Sequence, residues 1–149
     1  MILHILNGDC ALEGWSQCDF SGEALVWREN YLLGEVPDFQ DHTKFNRIRA
    51  EELHRIAPER SVDGIFAELQ IMFRKLFSLR PEDKLVLWLD LCPFDQALEK
   101  QLLTFTAAMP EPPGIYIVRK DVIWNRENFE RFRNWESHHR ISETEHSGK

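Results

Sequence analysis

With 149 residues, 43% of them hydrophobic and 29% charged, the chain has the make-up of one ordinary soluble domain that can bury a core without staples. Its formal net charge of −7 argues against a general nucleic-acid binder, whose footprint is a basic face, although 18 lysines and arginines leave room for a local basic patch. No stretch approaches the length needed to cross a bilayer, and Cys10, Cys18 and Cys92, without CxxC or Cys/His zinc spacing, read as reduced thiols in a cytoplasmic protein.

Ile2–Leu6 is the first expected strand, with His4 inside it as a hydrogen-bonded core residue. The run MILHILNGD is too short and lacks the small-residue cleavage site of a signal peptide. Asn7-Gly8-Asp9 then turns the chain, Gly8 permitting close backbone approach and Asp9 capping a short helix, Cys10–Gln17. Glu23–Glu29 is the second strand, and its apolar centre again ends in charge, Arg28 and Glu29.

The connection Asn30–His42 is long enough to suggest a lid, or equally an ordered loop that tucks Tyr31 and Phe39 onto the core. Thr43–Ile56 has helical spacing, with Thr43 as N-cap and Arg49 on the same face as Phe45 and Leu53. An arginine on such a face reaches a carboxylate or a ligand anion, so a structural ion pair and a ligand contact both stay open. Ser61 caps a second helix running to about Leu79, whose Ile65, Leu69, Met72, Phe73 and Leu76 form a core stripe.

Leu85–Leu89 is apolar on both faces, the mark of a central parallel strand, and it stops at Asp90. The following turn, Leu91-Cys92-Pro93, opens a helix with Phe94, Asp95 and Gln96 in its first turn and Met109 near its end. Ile115–Val118 is the fourth strand and Val122–Trp124 an extended or edge segment. Asn125 to about Arg140 reads as a docked amphipathic helix, with His138 and His139 entering a frayed, solvated tail in preference to a metal set with His146.

These elements predict a three-layer α/β fold: a mainly parallel sheet of four to five strands, order 2-1-3-4, with helices on both faces in the Rossmann-like or flavodoxin-like manner. One domain spans 1–149, with a core over 2–109, a strand and docked helix over 114–140 and a tail over 141–149. Ligands in such sheets bind beyond the strands' carboxyl ends at the switch point, here between the first and third strands. The candidate catalytic groups are therefore Asp90, Asp9, Arg28 and Glu29, and the candidate ligand-binding groups Asn7, Gly8, Arg49, Asp95 and Gln96.

Neither GxGxxG nor GxxxxGK[ST] nor GxSxG is present, so dinucleotide, P-loop and serine-hydrolase chemistry are not indicated. Cys10 and Cys92 lie near the rim without an evident histidine base. What remains is carboxylates, amides and arginines. These suit an anionic or nucleotide-like ligand, with Mg²⁺ available to two or three carboxylates for hydrolysis or phosphoryl transfer, or a closed Asp–Arg network that only fixes loops. The alternative is a non-catalytic regulatory or partner-binding domain using the same rim.

Four blocks, HILNGD, GEALVWRE, RAEEL and LWLDLCPFDQ, occur in an order that resembles the bacterial domain-of-unknown-function 1835 family over roughly residues 2–109. The motif positions fall on Asn7, Gly8, Asp9, Trp27, Arg28, Glu29, Arg49, Trp88, Asp90, Phe94, Asp95 and Gln96. The resemblance implies the fold and the rim site and names no reaction. Members of that family often continue into a further C-terminal region, whereas here one tail helix follows.

Overall fold

Strands β1 (Ile2–Leu6), β2 (Glu23–Val26), β3 (Lys84–Leu89) and β4 (Gly114–Arg119) pair in the order β2-β1-β3-β4, all parallel. This computed structural model, described over residues 1–140, thus has the three-layer α/β architecture and the strand order expected from the sequence. The cause is visible in β3. Its Leu85, Leu87 and Leu89 enter one core with Leu3 and Ile5, while Val86 and Trp88 enter the other with Leu6. A strand apolar on both faces cannot leave either in water, so each face recruits helices.

Helices α2 (His42–Ile56), α3 (Val62–Phe77) and α4 (Pro93–Ala107) cover the first face. They are locked together by rings, Phe73 lying 4.7 Å from Phe105 and Phe45 5.2 Å from it. Each such pair adds roughly 0.5–1.5 kcal/mol to simple burial. Helices α1 (Asp9–Ser16) and α5 (Arg126–Arg131), with a short 3₁₀ turn at Trp135–His138, cover the second face. There His4 is fully buried, as expected of a core residue. Its Nδ1 accepts from Trp88 Nε1 at 3.0 Å, and its Nε2 faces the Ser21 carbonyl at 2.9 Å. An indole N–H only donates and a carbonyl only accepts, so the ring is the neutral Nε2–H tautomer. Burial lowers its pKa.

Several expected boundaries shift for local reasons. β2 ends at Val26 and not Glu29, because β1 turns away after Leu6 and offers its last acceptor to Trp27 N. Asp41, not Thr43, caps α2, its carboxylate accepting from Lys44 N, while Ser61 caps α3 as anticipated. Val122–Trp124 is not a strand; Trp124 drops into the second core against Trp88 at 5.1 Å.

The single helix expected from Asn125 to Arg140 is broken into α5 and the 3₁₀ turn. The break lets Trp135 reach Tyr116, and it brings His139 onto β4, where it bridges Tyr116 antiparallel and Arg140 N bonds Ile115 O. Part of an otherwise open sheet edge is covered this way. His139 is thus anchored on Tyr116 and not frayed, although it stays exposed; His146 and the tail over 141–149 lie outside the described residues. Cys10, Cys18 and Cys92 are unpaired, and no described helix is long and apolar enough to cross a membrane.

Candidate functional site

The polar blocks noted in the sequence meet at the carboxyl end of the sheet, and hydrogen bonds chain them together. Asn7 reaches Asp95, Asp9 reaches Arg28, and Glu29 reaches Arg49. These contacts divide the expected crevice into three parts with different chemistry.

The first part is a cavity of about 360 Å³ beyond β1 and β2. Asn7, Gly8 and Asp9 form one side, Arg28 and Glu29 another, and the loop residues Asn30 and Leu33 a third. Apolar groups from α2, α3 and α4 (Leu53, Ile56, Ile65 and Phe94) complete it together with Arg60. Asp9 does not cap α1 as expected. Its carboxylate turns instead to Arg28, with contacts of 2.6 and 3.2 Å, and that guanidinium lowers its pKa.

The N-cap of α1 is Gly8, which has no side chain to accept from the first-turn N–H groups. Its φ of −180° is open to any residue, so conformation is not what glycine supplies here. A Cβ there would meet nothing within 4 Å, so the space beside this position is open. An uncapped helix N-terminus therefore opens onto the cavity.

The second part is closed. Arg49 and Glu29 have fully buried side chains. Arg49 Nε and Nη2 donate to the two Glu29 oxygens at 2.8 and 2.7 Å. Its remaining donors go to the carbonyls of Asn30, Leu33 and Glu35. A guanidinium has five N–H groups, and all five are used. Of the two readings the sequence left open for Arg49, the geometry matches the structural ion pair, and it ties down the loop. Tyr31 is buried, and Phe39 packs on the core 5.0 Å from Phe105, so this connection is an ordered loop that tucks its aromatics onto the core.

The third part lies across Asn7, beyond β3. Asp95 is fully buried, and its Oδ2 accepts from Asn7 Nδ2 at 2.8 Å and from Asp90 N at 2.7 Å. Its Oδ1 is buried without a hydrogen-bond partner, and burial raises the pKa of this carboxyl. Asp90 Oδ1 accepts from Cys92 N, and Cys92 Sγ caps α4 by accepting from Asp95 N. Burial, then Asp90, raises the Cys92 thiol pKa. Among the described residues no arginine or lysine pairs with Asp90 or Asp95. Asp9 and Asp90, both expected at the rim of the switch point, line different cavities. Asp90 borders a separate cavity with Cys92 and Asp121, because Asn7 fills the switch point between them. Gln96 donates to Leu91 O beside this turn and lines neither cavity.

Sequence reasoning overlooked Arg60, Leu53 and Ile56 as cavity walls. The signal was available: the α2–α3 turn at Pro58 must return at the same end of the sheet as the β2 rim. It also passed over Cys92 as the cap of α4. Comparison with family models, with curated proteins and with solved structures gave no match.

Proposed function

We propose that this domain binds a small anionic, nucleotide-like ligand in the cavity beyond β1 and β2. The observation that carries the reading is the uncapped N-terminus of α1 opening at Gly8 onto that cavity. Free N–H groups and the helix dipole favour negative charge there. Arg28 and Arg60 border the same space, and Leu53, Ile56 and Phe94 offer an apolar wall to a flat, uncharged moiety. Part of this proposal is kinship with the bacterial domain-of-unknown-function 1835 family, resting on the four sequence blocks, and a cytoplasmic setting that suits three free thiols.

Binding fits the lining better than turnover. Asp9, Arg28, Glu29 and Arg60 are its charged residues, and each is already paired, with Arg28, Asp9, Arg49 and Glu68 respectively. The catalytic version, Mg²⁺-assisted hydrolysis or phosphoryl transfer, would require Asp9 or Glu29 to exchange those partners. The rival reading, a protein-partner surface at this rim, draws on the exposed Leu32 and Leu33.

The test is calorimetric titration of nucleotides and phosphorylated metabolites into wild type and Gly8→Asp. Aspartate is among the best N-caps and glycine only slightly worse, so this variant should keep its stability or gain a few tenths of a kcal/mol. It should lose the ligand, because its carboxylate occupies the anion's place. A panel that binds neither protein, or binds both equally, would move the assignment to the partner surface.

A further inference from the structure

We infer that Asp90, Cys92 and Asp95 form a site for a thiophilic divalent cation of the Zn²⁺ or Co²⁺ class at the start of α4. One carboxylate oxygen from each acid and the sulfur of Cys92 lie within 4.8 Å of one another. An acidic cluster at a helix N-terminus is common without an ion, so the cluster alone would say little. The deciding observation is Asp95, which is fully buried with Oδ2 doubly hydrogen-bonded and Oδ1 without a hydrogen-bond donor among the described residues. A buried carboxylate oxygen left unpaired is costly, and among the described residues no side-chain cation is paired with either acid. A metal ion bound to Oδ1 would remove that cost and the repulsion between the two carboxylates together.

The donor set also decides the class of ion. Two carboxylates alone would suit Mg²⁺, but a sulfur ligand turns the preference toward zinc-like ions. Bond lengths of about 2.0–2.3 Å place ligand atoms about 3.5 Å apart around a tetrahedral ion, so the three groups need only draw in modestly. Asp90 and Cys92 are half-buried and border an open cavity, which gives the ion a path and leaves its fourth position to water or to Asp121. On binding, the Cys92 S–H bond breaks, the metal–sulfur bond forms and the proton leaves to solvent. Asn7, which orients Asp95 through its amide, holds the set in place from behind. None of the three ligands lines the β1–β2 cavity, so this site does not depend on the anion-binding reading.

The experiment is titration of Co²⁺ into the reduced, tag-free full chain, followed by the near-ultraviolet sulfur-to-cobalt charge-transfer band, with Zn²⁺ as competitor. Cys92→Ser keeps the helix cap, because a serine hydroxyl accepts from Asp95 N as the sulfur does, so it should fold normally. The band should saturate at one equivalent in wild type and be displaced by Zn²⁺. It should vanish in Cys92→Ser, and its apparent affinity should fall about tenfold or more in Asp95→Asn. Absence of the band in wild type overturns the site. So does a band that persists in Cys92→Ser and disappears in Cys10→Ser, which would mark an adventitious surface thiol.

Discussion

Asn7 and Asp95 stand 88 positions apart in the chain and are joined by a 2.8 Å hydrogen bond across the gap between β1 and β3. At that gap the chain's direction of travel across the sheet reverses, the place where open α/β folds leave a crevice. Here the crevice is bridged. The bridge separates an anion-friendly cavity on the β2 side from an acidic, thiol-bearing pocket on the β3 side.

The buried pair of Glu29 and Arg49 should matter to folding more than to any ligand. Arg49→Ala leaves a carboxylate buried without its cation and should cost about 3–5 kcal/mol in urea unfolding. Arg49→Lys should recover little, since an ammonium has three donors and cannot reach three carbonyls and two carboxylate oxygens together. Hydrogen exchange over residues 30–35 should rise in both variants. Near-wild-type stability in Arg49→Lys would contradict the five-donor clamp.

Asp90→Asn should be nearly neutral for stability, within about 1 kcal/mol in chelator-treated buffer. Among the described residues the carboxylate has no cationic side chain to abandon, and the asparagine carbonyl can still accept from Cys92 N in the same turn. A drop of several kcal/mol in thermal or chemical unfolding would mean that Asp90 has a buried structural partner after all.

Gly14→Ala tests how tightly α1 rests on the start of α5. A Cβ at this position would lie 2.6 Å from Arg126 N and 2.8 Å from Asn125 C, both backbone atoms that cannot swing aside. Helix propensity favours alanine by about 1 kcal/mol. Overpacking should win and destabilise by about 1–3 kcal/mol. A stabilised variant in equilibrium unfolding would show that the two helices can separate at no cost.

His4 gives the protein an acid-sensitive element. Its folded pKa lies below the ordinary 6.5 because of burial, so the unfolded chain takes up the proton first as pH falls. Its contribution is therefore complete above pH 6.5 and is lost as the pH drops from 6.5 toward the lower folded value. A protonated ring would also point an N–H at the Trp88 donor. Stability of wild type relative to His4→Gln should decline with falling pH by up to about 1.4 kcal/mol per pH unit, measured by urea unfolding from pH 7 downward. Parallel curves for the two proteins would remove His4 as the cause.

The sequence by itself determined the sheet and its order. Leu85–Leu89 is apolar at every position, which requires cover on both faces, and right-handed crossovers with a two-helix passage long enough to return past the first strand point to the order 2-1-3-4 that the sheet has. It also determined that Asn7, Asp9, Arg28, Glu29, Asp90 and Asp95 gather at one end, because each directly follows a strand or opens the next helix.

Only the tertiary structure decided their partners. Arg49 gives its donors to Glu29 and the loop carbonyls, Asp9 turns to Arg28 and not to its own helix, and Asn7 closes the gap that separates Asp9 from Asp90. Strand and helix periodicities fix which face a residue occupies. A hydrogen bond depends on side-chain direction and on fractions of an ångström between segments far apart in the chain, and no local pattern in the sequence carries that information.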